Sequence, residues 1–156
     1  RRISFDPLSP ETDRMHQLMA FLNTGFTGAF SPLWTATELP EPDPEHEAHL
    51  RRYGQTGVIE RHDKLEAMLG ETPFLIGDRP TLADAVLIGV KRWLDFHQVA
   101  ERGRWPKLDA VRRRLELDPA VRFATALEAG EPPSGSGALV GHVPLREVIE
   151  RYRTTA

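Results

Sequence analysis

"IGDRPTLADAVLIG", residues 76–89, places a threonine and an aspartate three positions apart, immediately ahead of an apolar run. Thr81 fits the cap of a helix, its hydroxyl accepting from the backbone N–H of Asp84. The Asp84 carboxylate reaches back to the N–H of Thr81, a capping box with aspartate in the usual glutamate position. Ile76 or the ring of Pro80 can brace the entry. The run that follows, "LADAVLIGVKRWLDFH", is apolar on most sides through Ile88, so it is expected at the centre of a helical core. The polar pair then satisfies helix-end N–H groups that cannot turn to water.

The rest of the chain supports an all-α reading, because helix signals dominate and strand alternation is absent. Ser9 caps, Pro10 opens and Glu11 and Asp13 favour the start of a first helix, with Met15, Leu18, Met19 and Leu22 on its apolar face. Gly25 and Gly28 weaken its second half, which points to close packing or to a ligand needing room. Ser31-Pro32 then ends or kinks it. "TATELPEPDPEHEAHL" reads as a proline-rich loop leading to Asp43 as cap and Pro44 as helix start. That helix runs to about Leu69, with Leu50, Tyr53, Val58, Leu65 and Leu69 expected inward. Gly54 and Gly57 call for a bend or a close contact, and Gly70 terminates it. Pro106 and Asp118-Pro119 start two shorter helices. Residues 1–130 are expected as one helical domain, 131–143 as a flexible linker, and 144–156 as a short helix and tail.

Composition narrows the function. With 156 residues, 40% of them hydrophobic, and a formal charge of −3, the chain offers no basic surface for nucleic acid or an anionic membrane. It contains no cysteine, which excludes disulfides, thiolate metal sites and a cysteine nucleophile, and suits a cytoplasmic protein. No run reaches the ~18 residues of a membrane span. The start at "RRISFDPLSP", without methionine, reads as a piece of something longer.

Residues 74–93, "FLIGDRPTLADAVLIGVKRW", followed by 105–124, "WPKLDAVRRRLELDPAVRFA", closely resemble the all-helical C-terminal domain of cytosolic glutathione transferases. The family frame G-x-x-x-S/T-x-A-D is met by Gly77, Thr81, Ala83 and Asp84. Its later P-x-L…R…P-A-V pattern is met by Pro106, Leu108, Arg114, Pro119, Ala120 and Val121. "GAFSPLW" (28–34) and "KRW" (91–93) look most like the bacterial beta-type branch. That branch commonly carries a histidine and a lysine where this chain has Thr27 and Gly28.

The resemblance implies a two-domain, homodimeric subunit that conjugates glutathione to hydrophobic electrophiles. A thioredoxin-like domain, absent from this chain, would hold glutathione and supply the catalytic residue. Glutathione is then a co-substrate, with no further cofactor and no metal. This domain would provide the co-substrate side of the pocket, and the chain alone would be nearly inactive. On that reading Asn23 and Thr27, at i and i+4, offer polar contacts, while Phe30, Trp34 and Trp93 line the pocket. Packing alone explains Trp93 equally well, and His97 reads as a helix-end residue. No catalytic residue is assigned here; Thr81 and Asp84 are structural. His46 and His49, with His62 further on, do not read as a zinc site; the first two lie with Glu45 and Glu47 on a solvated charged face, and Arg112 to Arg114 read as a solvated helix face. Two other readings remain: a non-enzymatic assembly module of the same fold, and a small-molecule binder using the aromatic residues alone.

Overall fold

The computed structural model describes residues 3–132 and 143–153, and among them the regular structure is entirely helical. Helices α1 (Pro10–Phe21), α2 (Ser31–Thr37), α3 (Pro44–Met68), α4 (Leu82–Lys91), α5 (Trp93–Phe96), α6 (Pro106–Glu116), α7 (Pro119–Glu128) and α8 (Leu145–Arg153) follow one another. The chain divides into two compact units, one ending at Leu115 and one starting at Glu116. Most of the expected linker, residues 133–142, lies outside the described residues.

Local chemistry sets the helix starts as the sequence predicts. The Ser9 side chain accepts from the N–H of Thr12 at 3.3 Å, Asp43 from that of His46 at 3.0 Å, and Asp118 from that of Ala120 at 2.9 Å. Each of these helices has a proline in its first turn, where the missing N–H costs nothing. At α4 the capping box forms. The Asp84 carboxylate accepts from the Thr81 N–H at 2.8 Å, the Thr81 hydroxyl at 2.7 Å and the Leu75 N–H at 3.0 Å. Between Leu75 and Thr81 the chain turns through Gly77 at φ +70°, a left-handed conformation that glycine adopts without a Cβ penalty.

The core of the first unit gathers Leu18, Leu22, Phe26, Phe30, Leu33, Val58, Leu65, Leu87, Leu94, Leu108 and Leu115, all at most 2% exposed. Helix α4 contributes Ala83, Leu87 and Val90 and is the buried, capped central helix the sequence calls for. Helices α3 and α6 are tied by exchanged polar contacts. The Glu66 carboxylate accepts from the N–H groups of Lys107 and Leu108, both at 2.9 Å, and so caps α6 from outside. In return the Lys107 ammonium and the Arg14 guanidinium donate to the carbonyls of Leu69 and Met68 at the end of α3.

Several expectations are corrected. The first helix passes through a π-helical turn, Leu22–Phe26, instead of running on as a plain α-helix. Helix α2 continues to Thr37, into the stretch expected to be loop, because Pro32 occupies a helix's first turn instead of only ending one. The helix after Thr81 breaks at Arg92, whose φ −62° and ψ −24° tighten the turn towards 3-10 geometry. On α3 the buried stripe is Gly54, Val58, His62 and Leu65; Tyr53 lies one step off it and is 68% exposed. Leu50 is half-buried. His62 is fully buried. Arg112 is also buried, at 7% exposure, because Asp109 one turn back takes its guanidinium at 2.6 Å. Arg113, 73% exposed at its side chain, braces the other Asp109 oxygen at 2.6 Å.

Candidate functional site

Aromatic rings from α2 and α5 meet on one face of the first unit. Phe30 precedes α2 and Trp34 lies within it, while α5 brings Trp93 and Phe96 with His97 at its end. Trp34 meets the edge of Trp93 at 5.4 Å between ring centroids, and Trp93 stands perpendicular to Phe30 at 5.6 Å. Edge-to-face pairs at these distances are the favoured aromatic geometry. Phe96 stacks on Trp34 at 5.2 Å with 22° between the planes, although it is itself 61% exposed. Phe30 is sealed within the core, whereas Trp34 and Trp93 keep part of their surface open. The result is an aromatic wall backed by core.

His97 lies inside that wall. Its ring is 4.5 Å from that of Trp34 and 4.9 Å from that of Phe96, nearly perpendicular to both, and 6.2 Å from Phe30. The residue is 6% exposed, and its Nε2 has no hydrogen-bond partner among the described residues. Burial, reinforced by the nearby Arg51 guanidinium, lowers its pKa, so the ring is held neutral. The next residue, Gln98, turns the chain at φ +52°, and the Val99 N–H donates to the Leu94 carbonyl at 3.1 Å, which closes α5.

The other sequence-selected residues are placed elsewhere. Asn23 is exposed on the π-helical turn. Thr27, half-buried, donates its hydroxyl to the Leu22 carbonyl at 2.7 Å, five residues back. The π spacing removes the simple i, i+4 stacking of Asn23 over Thr27. Gly25 and Gly28 line a groove of about 400 Å³ against α3, together with Tyr53, Gly57 and Arg61. Thr81 and Asp84 are consumed by the helix cap.

A second ring cluster lies deeper. His62 is flanked by Phe26 at 4.4 Å and Trp105 at 4.5 Å, and its Nδ1 pairs with the Val58 carbonyl at 2.8 Å. Burial first, and the Lys91 ammonium second, push its pKa from 6.5 to about 3. Trp105 donates from Nε1 to Asp63 at 2.6 Å, with the Lys91 ammonium 5.0 Å from its ring centre. His97 stands at the helix end, as the sequence predicts, but its place among the wall rings with Phe96 was not foreseen. The signal available was their position three and four residues after Trp93, on a helix already carrying a candidate wall residue.

Residues 62–114 match the family model described as glutathione S-transferase, C-terminal domain. No curated protein matches the chain significantly. Among solved structures, a glutathione transferase from Methylococcus capsulatus is 27% identical, with a TM-score of 0.60 over 81% of this chain and 59% of that one. A beta class glutathione S-transferase from Sphingomonas chungbukensis is 23% identical, with a TM-score of 0.63 over 81% of this chain and 58% of its own. A glutathione transferase homologue from Sulfitobacter, solved with bound glutathione, is 18% identical at a TM-score of 0.63, over 80% of this chain and 65% of its own. In each case the chain spans less than two thirds of the neighbour's length.

Proposed function

We propose that this chain, whose residues 62–114 match the glutathione S-transferase C-terminal domain model, forms the co-substrate side of a glutathione-conjugating protein. The observation that carries this is the wall of Trp34 and Trp93, partly open to solvent and backed by the sealed Phe30. Such a surface suits the flat, apolar body of an electrophile, since ligand pockets are mostly apolar with few polar groups. Glutathione itself, the thiolate-stabilising residue and a thioredoxin-like fold belong to a separate domain of the same protein, and the intact protein works as a homodimer. On this reading the chain alone is nearly inactive, Asn23 and Thr27 lie towards the glutathione side, and the whole protein is a cytoplasmic enzyme of the detoxifying kind.

The test is conjugation of glutathione to an activated aryl halide, such as chlorodinitrobenzene, by the natural protein isolated from its own cells and characterised by intact mass. We expect activity, and a loss of kcat/KM of roughly tenfold or more in Trp34→Ala, which removes a large apolar contact to the co-substrate. A folded natural protein that conjugates none of a panel of aryl halides, epoxides and enones would overturn the reading. It would leave the assembly module of the same fold in its place.

A further inference from the structure

We infer that His97 is the polar contact of the aromatic wall, selecting planar aromatic ligands that carry an oxygen acceptor conjugated to the ring. The inference rests on the reading of Trp34 and Trp93 as a ligand wall, and it adds what that wall lacks. Trp34 and Trp93 suit a flat apolar body, and the polar atoms they bring are limited to their indole N–H groups. His97 stands nearly perpendicular to both Trp34 and Phe96, within 5 Å of each ring centre, and offers a buried nitrogen without a partner among the described residues. A buried polar atom left without a partner is costly, so such atoms are uncommon and need an explanation. A ligand oxygen supplies one, since the neutral ring donates from Nε2 when the proton sits there.

Phe96 shows where the ligand's ring would lie. It is exposed, yet its ring stacks almost flat on Trp34 and stands perpendicular to His97. That is the geometry an aromatic ligand would adopt, so Phe96 fills the site when it is empty. Phe96 ends a helix of four residues, beside the left-handed Gln98, and is mostly exposed. A ligand ring can therefore take its place on Trp34 and bring a ring substituent up to Nε2. The neutral state of His97 suits this role. A buried imidazolium would demand an anion, whereas the neutral ring accommodates an uncharged carbonyl or nitro group.

The experiment compares two ligands of matched shape, acetylnaphthalene and ethylnaphthalene, binding to the full chain without glutathione and read by tryptophan fluorescence. His97→Phe is expected to weaken acetylnaphthalene roughly 5- to 10-fold, the scale of one hydrogen bond, and ethylnaphthalene by less than about twofold. His97→Gln, which keeps an N–H donor at a similar reach, is expected to restore the acetylnaphthalene preference. It also serves as the informative variant if His97→Phe fails to fold. Phe96→Ala is expected to tighten both ligands. Equal weakening of the two by His97→Phe, without recovery in His97→Gln, would overturn the role of His97 while leaving the wall intact. Failure of wild type and Phe96→Ala to bind either ligand would overturn the wall and the His97 contact together. Neither result depends on whether the natural protein conjugates glutathione.

Discussion

Asp84 shows how much one side chain decides when it is both local and buried. It is fully buried, and its carboxylate receives two backbone N–H groups and one hydroxyl. Alanine at this position leaves all three donors without that acceptor in a place water does not reach. Each such loss costs about 1–3 kcal/mol, discounted because the three share one site, so Asp84→Ala is expected to cost about 3 kcal/mol in total. A thermal melt should read this as a fall of roughly 10 °C. A variant melting within a degree or two of wild type would mean that the cap is not what holds α4 in the core. This residue was legible in the sequence because both partners of the box lie within one helical turn. His62 and Arg112 were not. Their burial depends on Phe26 and Trp105, far along the chain in one case, and on the choice of Asp109 over water in the other.

Helix α3 carries a contrast that only the packing reveals. Gly54 and Gly57 look alike in the sequence, three positions apart on one helix. A Cβ at Gly54 would stand 2.7 Å and 2.8 Å from Leu33 side-chain carbons and 3.2 Å from its backbone nitrogen. At Gly57 the nearest atom is the Ala29 Cβ, at 4.0 Å. Alanine gains about 1 kcal/mol of helix propensity at either site. At Gly54 overpacking of about 1–3 kcal/mol exceeds that gain, because α2 must back away from α3. Gly54→Ala is therefore expected to be destabilising by about 1 kcal/mol and Gly57→Ala stabilising by about 0.5–1 kcal/mol, read from urea midpoints. Equal effects of the two changes would contradict the close approach of α2. The starts of α1, α3, α4, α6 and α7 were legible, since caps and prolines act locally, whereas the Pro32 start of α2 read as an end. The π-helical turn at Leu22–Phe26 and the break at Arg92 carry no such mark: no proline stands at either place.

At the scale of the whole molecule, acid is the lever that tests the buried polar groups together. The helical class was legible because its periodicity and caps recur along the entire chain, whereas the aromatic wall emerges only when α2 and α5 are brought side by side. The same assembly that forms the core desolvates His62. Its folded pKa of about 3 lies below the ordinary 6.5, with burial and then Lys91 lowering it, and the Val58 carbonyl and Asp63 opposing. Between those values the unfolded chain binds a proton that the folded chain refuses, so stability falls as pH falls through that window. His97, lowered by burial and Arg51, acts in the same direction. At Asp109, burial alone would raise the pKa, but Arg112 and Arg113 outweigh it and the net shift is downward. Its contribution is present above the ordinary carboxylate pKa and is lost only as pH falls further, through the lowered folded value. From pH 6 to pH 4 the histidines should therefore dominate. His62 alone is expected to remove up to about 1.4 kcal/mol per pH unit of unfolding free energy across that interval. Urea unfolding at a series of pH values measures this slope directly. In His62→Leu, which fills the space between Phe26 and Trp105 without a titrating group, the slope should shrink by close to one proton's worth. The remainder should come from His97 and the carboxylates. An unchanged slope in that variant would mean that His62 takes up its proton within the folded state, and that the core opens there more readily than its packing implies.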